Sequence, residues 1–228
     1  MATISGVIVN PNDLGTNRFN VPSIQDIIIG LSRVHRFAGQ TKTPCNVLAH
    51  TFATAEVLEA IKCKLLNNTH AKLSNGIVRL GLLHDACEAI VSDTPSPFKS
   101  SEARQTEGMI TQHVLDAYAG AYYNDLDWAV LNAVDTYIAH EEAIAYGLRV
   151  GDEPELIHNK RDMLDYARVH LTEVGDEYIN DDRVIDFIMD IIFDYCGVYT
   201  RKHMGTPMVV GIKEYEYCET VFTVLNKL

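Results

Sequence analysis

Along most of the chain, apolar residues recur every three or four positions, the period of an amphipathic helix. Ser23 offers an N-cap ahead of Ile24, Ile27, Ile28 and Leu31, which predicts a helix ending near Gly39. Thr43-Pro44 opens a second helix, running to about Leu66, in which Val47, His50, Thr54, Val57, Leu58 and Ile61 share a stripe. From Ile77 to Val91 the polar positions thin out on every side, so this segment predicts a buried helix. Asp93-Thr-Pro95-Ser-Pro97 predicts a rigid loop, because each proline removes a donor and restricts the residue before it. Further helices are predicted from Ser101 to about Tyr118, from a cap at Asp125 or Asp127 to about Tyr146, from Glu155 to about Leu171 and from Asp182 to about Tyr195. The first twenty residues alternate weakly and predict a short β-hairpin, while Met208 to Tyr217 is open between strand and helix. The expected architecture is therefore mostly α in a single domain. It has a small N-terminal β element (1–22), a helical core (23–172) and a C-terminal helical appendage (173–228) that covers the core or builds a homo-oligomer interface.

The buried helix carries chemistry that a core helix has no use for. His84, Asp85 and Glu88 lie within one turn and a fraction of each other, in the word Leu80-Gly-Leu-Leu-His84-Asp85-Ala-Cys-Glu88. Unpaired buried charge costs several kcal/mol or more, and a bound cation is among the few things that offset it. A lone His-Asp pair reads more readily as a core histidine satisfied by its neighbour. Two more residues change that balance. His50 points inward on its own stripe, and Asp135 is a carboxylate among Trp128, Leu131, Ile138 and Ala139. Together, three predicted helices supply two imidazoles and two carboxylates, a mixed N/O set suited to Co, Mn, Zn, Mg, Ni or Fe. Cys87 turns about 200° away from Asp85 around a helix and is expected to be core, and His140 is expected to be no ligand.

His50, then His84-Asp85, then Asp135 resembles the H…HD…D signature of the HD-domain metal-dependent phosphohydrolases. The flanking words Arg36-Phe37-Ala-Gly39-Gln40 and Glu88…Asp93-Thr-Pro95-Ser-Pro97-Phe-Lys99 are similar to the 5'-deoxynucleotidase branch and its phage and prophage relatives. The likeness runs from about Ile24 to Glu142, and one position departs from it: relatives often read RFAGH, where this chain has Gln40. The resemblance implies an HD helical bundle with a divalent metal held by His50, His84, Asp85 and Asp135. It implies a cation-activated water attacking a deoxynucleotide phosphate. Glu88 would act on that water and Asp93 on the leaving oxygen or sugar, with Arg36, Phe37 and Lys99 binding substrate. It leaves open a deoxynucleoside triphosphohydrolase of the phage dATP-hydrolysing kind. Outside that class stand a di-iron oxygenase of the same fold and a non-catalytic nucleotide-binding scaffold. The first would need further histidines where this chain has Glu88 and Asp93.

Charge and composition narrow the partners. A net charge of −12 over 228 residues argues against nucleic acid, whose backbone needs a basic footprint, though not against a small nucleotide. No run approaches the roughly 18–20 apolar residues of a membrane helix, and Met1-Ala-Thr-Ile-Ser-Gly lacks the pattern of a signal peptide, so a cytoplasmic protein is expected. The five cysteines include no C-x-x-C pair and suggest no disulfide framework.

Overall fold

The structure is a computed structural model and describes residues 3, 5–16, 18–68, 72–95, 98–120, 123–147, 160–172 and 182–203. In chain order the helices are α1 (Ile24–Arg33), α2 (Val47–Asn68), α3 (Ile77–Leu83), α4 (Glu88–Val91), α5 (Ser101–Tyr118), α6 (Asp125–Ala145), α7 (Lys160–Thr172) and α8 (Asp182–His203). The mostly-α expectation holds. The N-terminal β-hairpin does not: among the described residues there is no strand, only isolated bridge positions at Ile8 and between His35 and Asn46. Short polar side chains capture the N-terminal backbone instead. The Asn10 side-chain oxygen accepts from the Asn12 amide ahead of a 3-10 turn at Pro11–Asp13, and Ser5 is drawn onto Asp26 of α1. The strand-or-helix segment from Met208 to Tyr217 and the start of the helix expected at Glu155 lie outside the described residues.

α2 is the central element, packed by α1, α3, α6 and α8. Leu58, Ile61 and Leu65 of α2 meet Ile77 and Leu80 of α3, Val130 and Val134 of α6, Leu171 of α7, and Ile188 and Ile192 of α8 in one core. Asn46 caps α2 by accepting from the Ala49 amide, so the helix starts three residues after Thr43-Pro44 and His50 falls in its first turn. Two glycines set how closely the helices approach. A Cβ at Gly81 would stand 2.6 Å from the Leu58 side chain, and one at Gly30 would stand 2.7 Å from Ala89. Gly81 brings α3 onto α2, and Gly30 brings α1 onto α4.

Helix boundaries depart from the periodic reading where local hydrogen bonding competes with it. The 77–91 segment is two helices joined by a tightened turn. There the amides of Ala86, Glu88 and Ile90 bond the carbonyls of Leu83, Asp85 and Cys87, three residues back rather than four. α1 stops at Arg33 rather than near Gly39. Arg36–Gly39 forms a separate 3-10 turn in which Phe37 (φ 56°) and Ala38 (φ 51°) are left-handed. The cap of α6 is Asn124, not Asp125 or Asp127. Asp127 sits at the third helical position and closes a capping box back onto Asn124. α8 continues past Tyr195 to His203. No helix among the described residues is long and apolar enough to cross a membrane.

Ser23 and Asp26 form the capping box of α1, and Asp26 also accepts from the Ser5 amide (2.9 Å) and the Ser5 hydroxyl. Burial raises the Asp26 carboxyl, but the bonds from Ser5 and Ser23 outweigh it and hold the group at about 2. A depressed carboxyl contributes stability that is present above its unfolded value and lost as pH falls through the folded one. Asp26→Asn is therefore expected to lower stability at pH 7 by about 1–2 kcal/mol. In thermal melts, the gap to wild type should close as pH falls from about 4 to 2. A gap that does not depend on pH would show that the charge of Asp26 contributes nothing.

Candidate metal centre

Three helical segments deliver the site. His50 comes from the first turn of α2, His84 and Asp85 from the tightened turn between α3 and α4, and Asp135 from the middle of α6. His50, His84 and Asp85 each bring a ligand atom to within 4.8 Å of one another, a set of the kind that holds a metal ion. Asp135, the fourth residue expected, turns one oxygen onto both rings, 2.7 Å from His50 Nε2 and 3.9 Å from His84 Nε2. Asp85 Oδ2 is the hub. It lies 3.3 Å from His84 Nε2, 3.8 Å from His50 Nε2 and 3.5 Å from Arg36 Nη1.

The hydrogen bonding of the rings suits a cation. His84 Nδ1 donates to the Gly81 carbonyl at 2.7 Å, so Nε2 is the nitrogen turned to the site; burial opposes charge on this ring, while Asp85 and Asp135 raise it. That Nε2 is buried and has no hydrogen-bond partner, although it faces carboxylates. A buried unsatisfied nitrogen costs free energy, and a metal ion would supply the missing partner. His50 Nδ1 meets Glu142 Oε2 at 3.0 Å. Burial and Arg36 oppose a proton on the His50 ring, yet Glu142 and Asp135 outweigh them and push it up to about 10. Burial opposes charge on Asp85 and Asp135 as well, but His84 beside the first and His50 beside the second hold both carboxyls below their ordinary range. In effect, protons and Arg36 stand where a divalent charge would neutralise the same carboxylates.

Arg36, Phe37, Asp85, Glu88, Asp93, Thr94, Pro95, Lys99 and Asp135 line a cavity of about 330 Å³, within the range of small-ligand sites. All five expected catalytic and substrate-binding residues are thus brought to one pocket. Glu88 is buried, and burial, with Asp85 and Asp93 nearby, pushes its carboxyl up to about 8. Its Oε1 lies 3.8 Å from Lys99 Nζ, while Oε2 has no partner. Lys99 is held at 3.0 Å by Glu107, so its charge is shared before any ligand arrives. Asp93 Oδ2 accepts from the Phe37 amide at 3.0 Å, tying the proline loop to the left-handed turn. Cys87 is buried, as expected, and burial pushes its thiol up to about 12, away from the thiolate a metal would need. His140 is buried on α6 and does not line the pocket.

Glu142 and Glu107 are the residues that sequence reasoning missed. Glu142 stands seven positions after Asp135, two turns along the same face of α6, and that spacing was the available signal. A scan against protein-family models finds no match to this chain, and a search of the curated proteins finds none either. Fold and site define a protein that is mostly helical over its described residues, with a candidate metal centre whose Asp85 and Asp135 line a polar pocket.

Proposed function

We propose that this chain is a metal-dependent phosphohydrolase of the HD type, acting on deoxynucleotides. The observation that carries the reading is the orphaned Nε2 of His84, set among His50, Asp85 and Asp135 from separate elements, at the floor of a pocket that also holds Arg36, Glu88 and Lys99. A divalent cation bound there would polarise the phosphoryl group and make water a better nucleophile near neutral pH. His50, His84, Asp85 and Asp135 would hold it, and the chain's other residues supply positioning and proton handling. Arg36 presents a planar guanidinium, fixed by Glu142 at 3.1 Å and Asp85 at 3.5 Å, toward the equatorial phosphoryl oxygens. Lys99 adds a second cation. Glu88 is placed to take the proton of the attacking water once the charge of a bound cation favours its ionised form, and Asp93 on the facing loop to serve the leaving oxygen or the sugar. Phe37 closes the wall beside Arg36, whose guanidinium lies 5.4 Å from its ring centre.

The test is turnover of each deoxynucleoside mono- and triphosphate by purified protein with Mn, Co or Mg. Phosphate from a monophosphate marks the nucleotidase. Nucleoside plus tripolyphosphate, or stepwise phosphate release from a triphosphate, marks the triphosphohydrolase. No turnover under any combination overturns the reading.

A further inference from the structure

Glu142 holds Arg36 in the mechanism above but touches no ligand there. Glu142 is 2% exposed and lies outside the pocket lining, so it does not reach a ligand there. We propose that Glu142 is a positioning residue whose single oxygen Oε2 both fixes the His50 ring with Nε2 toward the cation site and holds Arg36 beside it. The inference rests on reading this cluster as a metal centre.

The geometry is specific. His50 Nδ1 at 3.0 Å and Arg36 Nε at 3.1 Å converge on the same atom, Glu142 Oε2. A carboxylate only accepts, so His50 Nδ1 donates to Glu142, while Nε2, which donates to Asp135 at 2.7 Å when no cation is bound, is the nitrogen whose proton a cation would displace. A histidine with two usable nitrogens is thereby committed to one. Arg36 is clamped between Glu142 and Asp85, so the arm that would meet phosphate is registered to the centre through the same two carboxylates. α6 supplies Asp135 and Glu142 two turns apart on one face, which makes ligand and support parts of one rigid element. Carboxylate partners of ligating histidines fix ring orientation, and their loss typically weakens metal affinity about 10–100-fold.

Metal-free wild type, Glu142→Leu and Glu142→Gln are titrated with Co(II), following visible absorption, and the His50 ring nitrogens are assigned by ¹⁵N NMR in Zn(II)-loaded wild type. Glu142→Leu should bind Co(II) about 10–100-fold more weakly with an altered spectrum. Glu142→Gln, which can keep an oxygen in place, should recover most of the affinity and the native spectrum. The NMR spectrum should show the His50 proton on Nδ1. A folded Glu142→Leu with wild-type affinity and spectrum overturns the proposal. So does a His50 proton on Nε2, and that measurement decides alone if the leucine variant does not fold. If wild type binds neither metal, the metal-centre reading itself fails and takes this inference with it. Equal binding by wild type and Glu142→Leu removes only the inference.

Discussion

Alanine at Asp85 is expected to abolish both cation binding and turnover, and to erase a stabilisation that wild type gains from added metal. Asp85 is the only carboxylate within 4 Å of His50, His84 and Arg36 together among the ion pairs of the described residues. Without it, the centre loses the carboxylate nearest His84, and only Asp135 and Glu142 are left to offset two imidazoles and a guanidinium, a weaker field for a divalent cation. A ligand that binds only the native state stabilises it by about 2.7 kcal/mol at one hundred times its dissociation constant. For a chain of this size, that corresponds to a rise of roughly 5–11 °C in melting temperature. Calorimetry of wild type with Mn or Co should show the rise, and Asp85→Ala should not. His84→Ala should behave alike, because it deletes the buried Nε2 that faces Asp85 and Asp135 at the site. An Asp85→Ala variant that keeps both the thermal shift and the turnover would mean that the centre lies elsewhere.

The parts of this site that could be read from sequence are those carried by local words and single-helix stripes. His84-Asp85 is adjacent in sequence, and His50 and Asp135 betray themselves by sitting on apolar stripes of α2 and α6. What escaped depends on geometry that periodicity does not carry. The segment from Ile77 to Val91 is apolar throughout, so it reads as one helix. The turn at residues 84–87 tightens to bonds three residues back, which places His84 and Asp85 at a joint between α3 and α4 rather than inside a regular helix. The left-handed turn at Phe37 and Ala38 gives no glycine signal. It is supported by a long-range bond, from the Phe37 amide to Asp93, which no local reading can see. Such non-glycine strain costs of order 1–3 kcal/mol per residue and persists only where surroundings enforce it. Glu142 escaped for a different reason. It shares the face of Asp135 at a spacing of seven, but it sits in the polar run His140-Glu141-Glu142, where no local word marks one carboxylate as inward. The weak alternation of the first residues misled because Ser5, Asn10 and Asp26 offer the backbone and one another closer partners than a second strand.

Glu88→Gln should separate chemistry from stability in opposite directions. Burial raises the Glu88 carboxyl to about 8, with Asp85 and Asp93 adding to the shift and Arg36 and Lys99 opposing it. A group whose folded value is raised contributes stability that is fully present below its unfolded value and lost as pH rises through the folded one. Metal-free wild type should therefore lose stability between about pH 4.5 and pH 8 on account of this one residue. Glutamine matches the shape of the protonated carboxyl and carries no such loss, so metal-free Glu88→Gln should melt higher than wild type at pH 8 and close to it at pH 5. Catalysis should move the other way. Removing a group that handles the proton of the attacking water typically lowers the rate about 10²–10⁴-fold, while the four proposed metal residues are untouched and cation binding stays. The ordering is diagnostic, since a merely structural glutamate would lose stability and rate together. Glu88→Gln that keeps nearly full turnover would remove Glu88 from the chemistry. A variant with no pH-dependent gain in melting temperature would show that the buried carboxyl is neutralised by Lys99 instead.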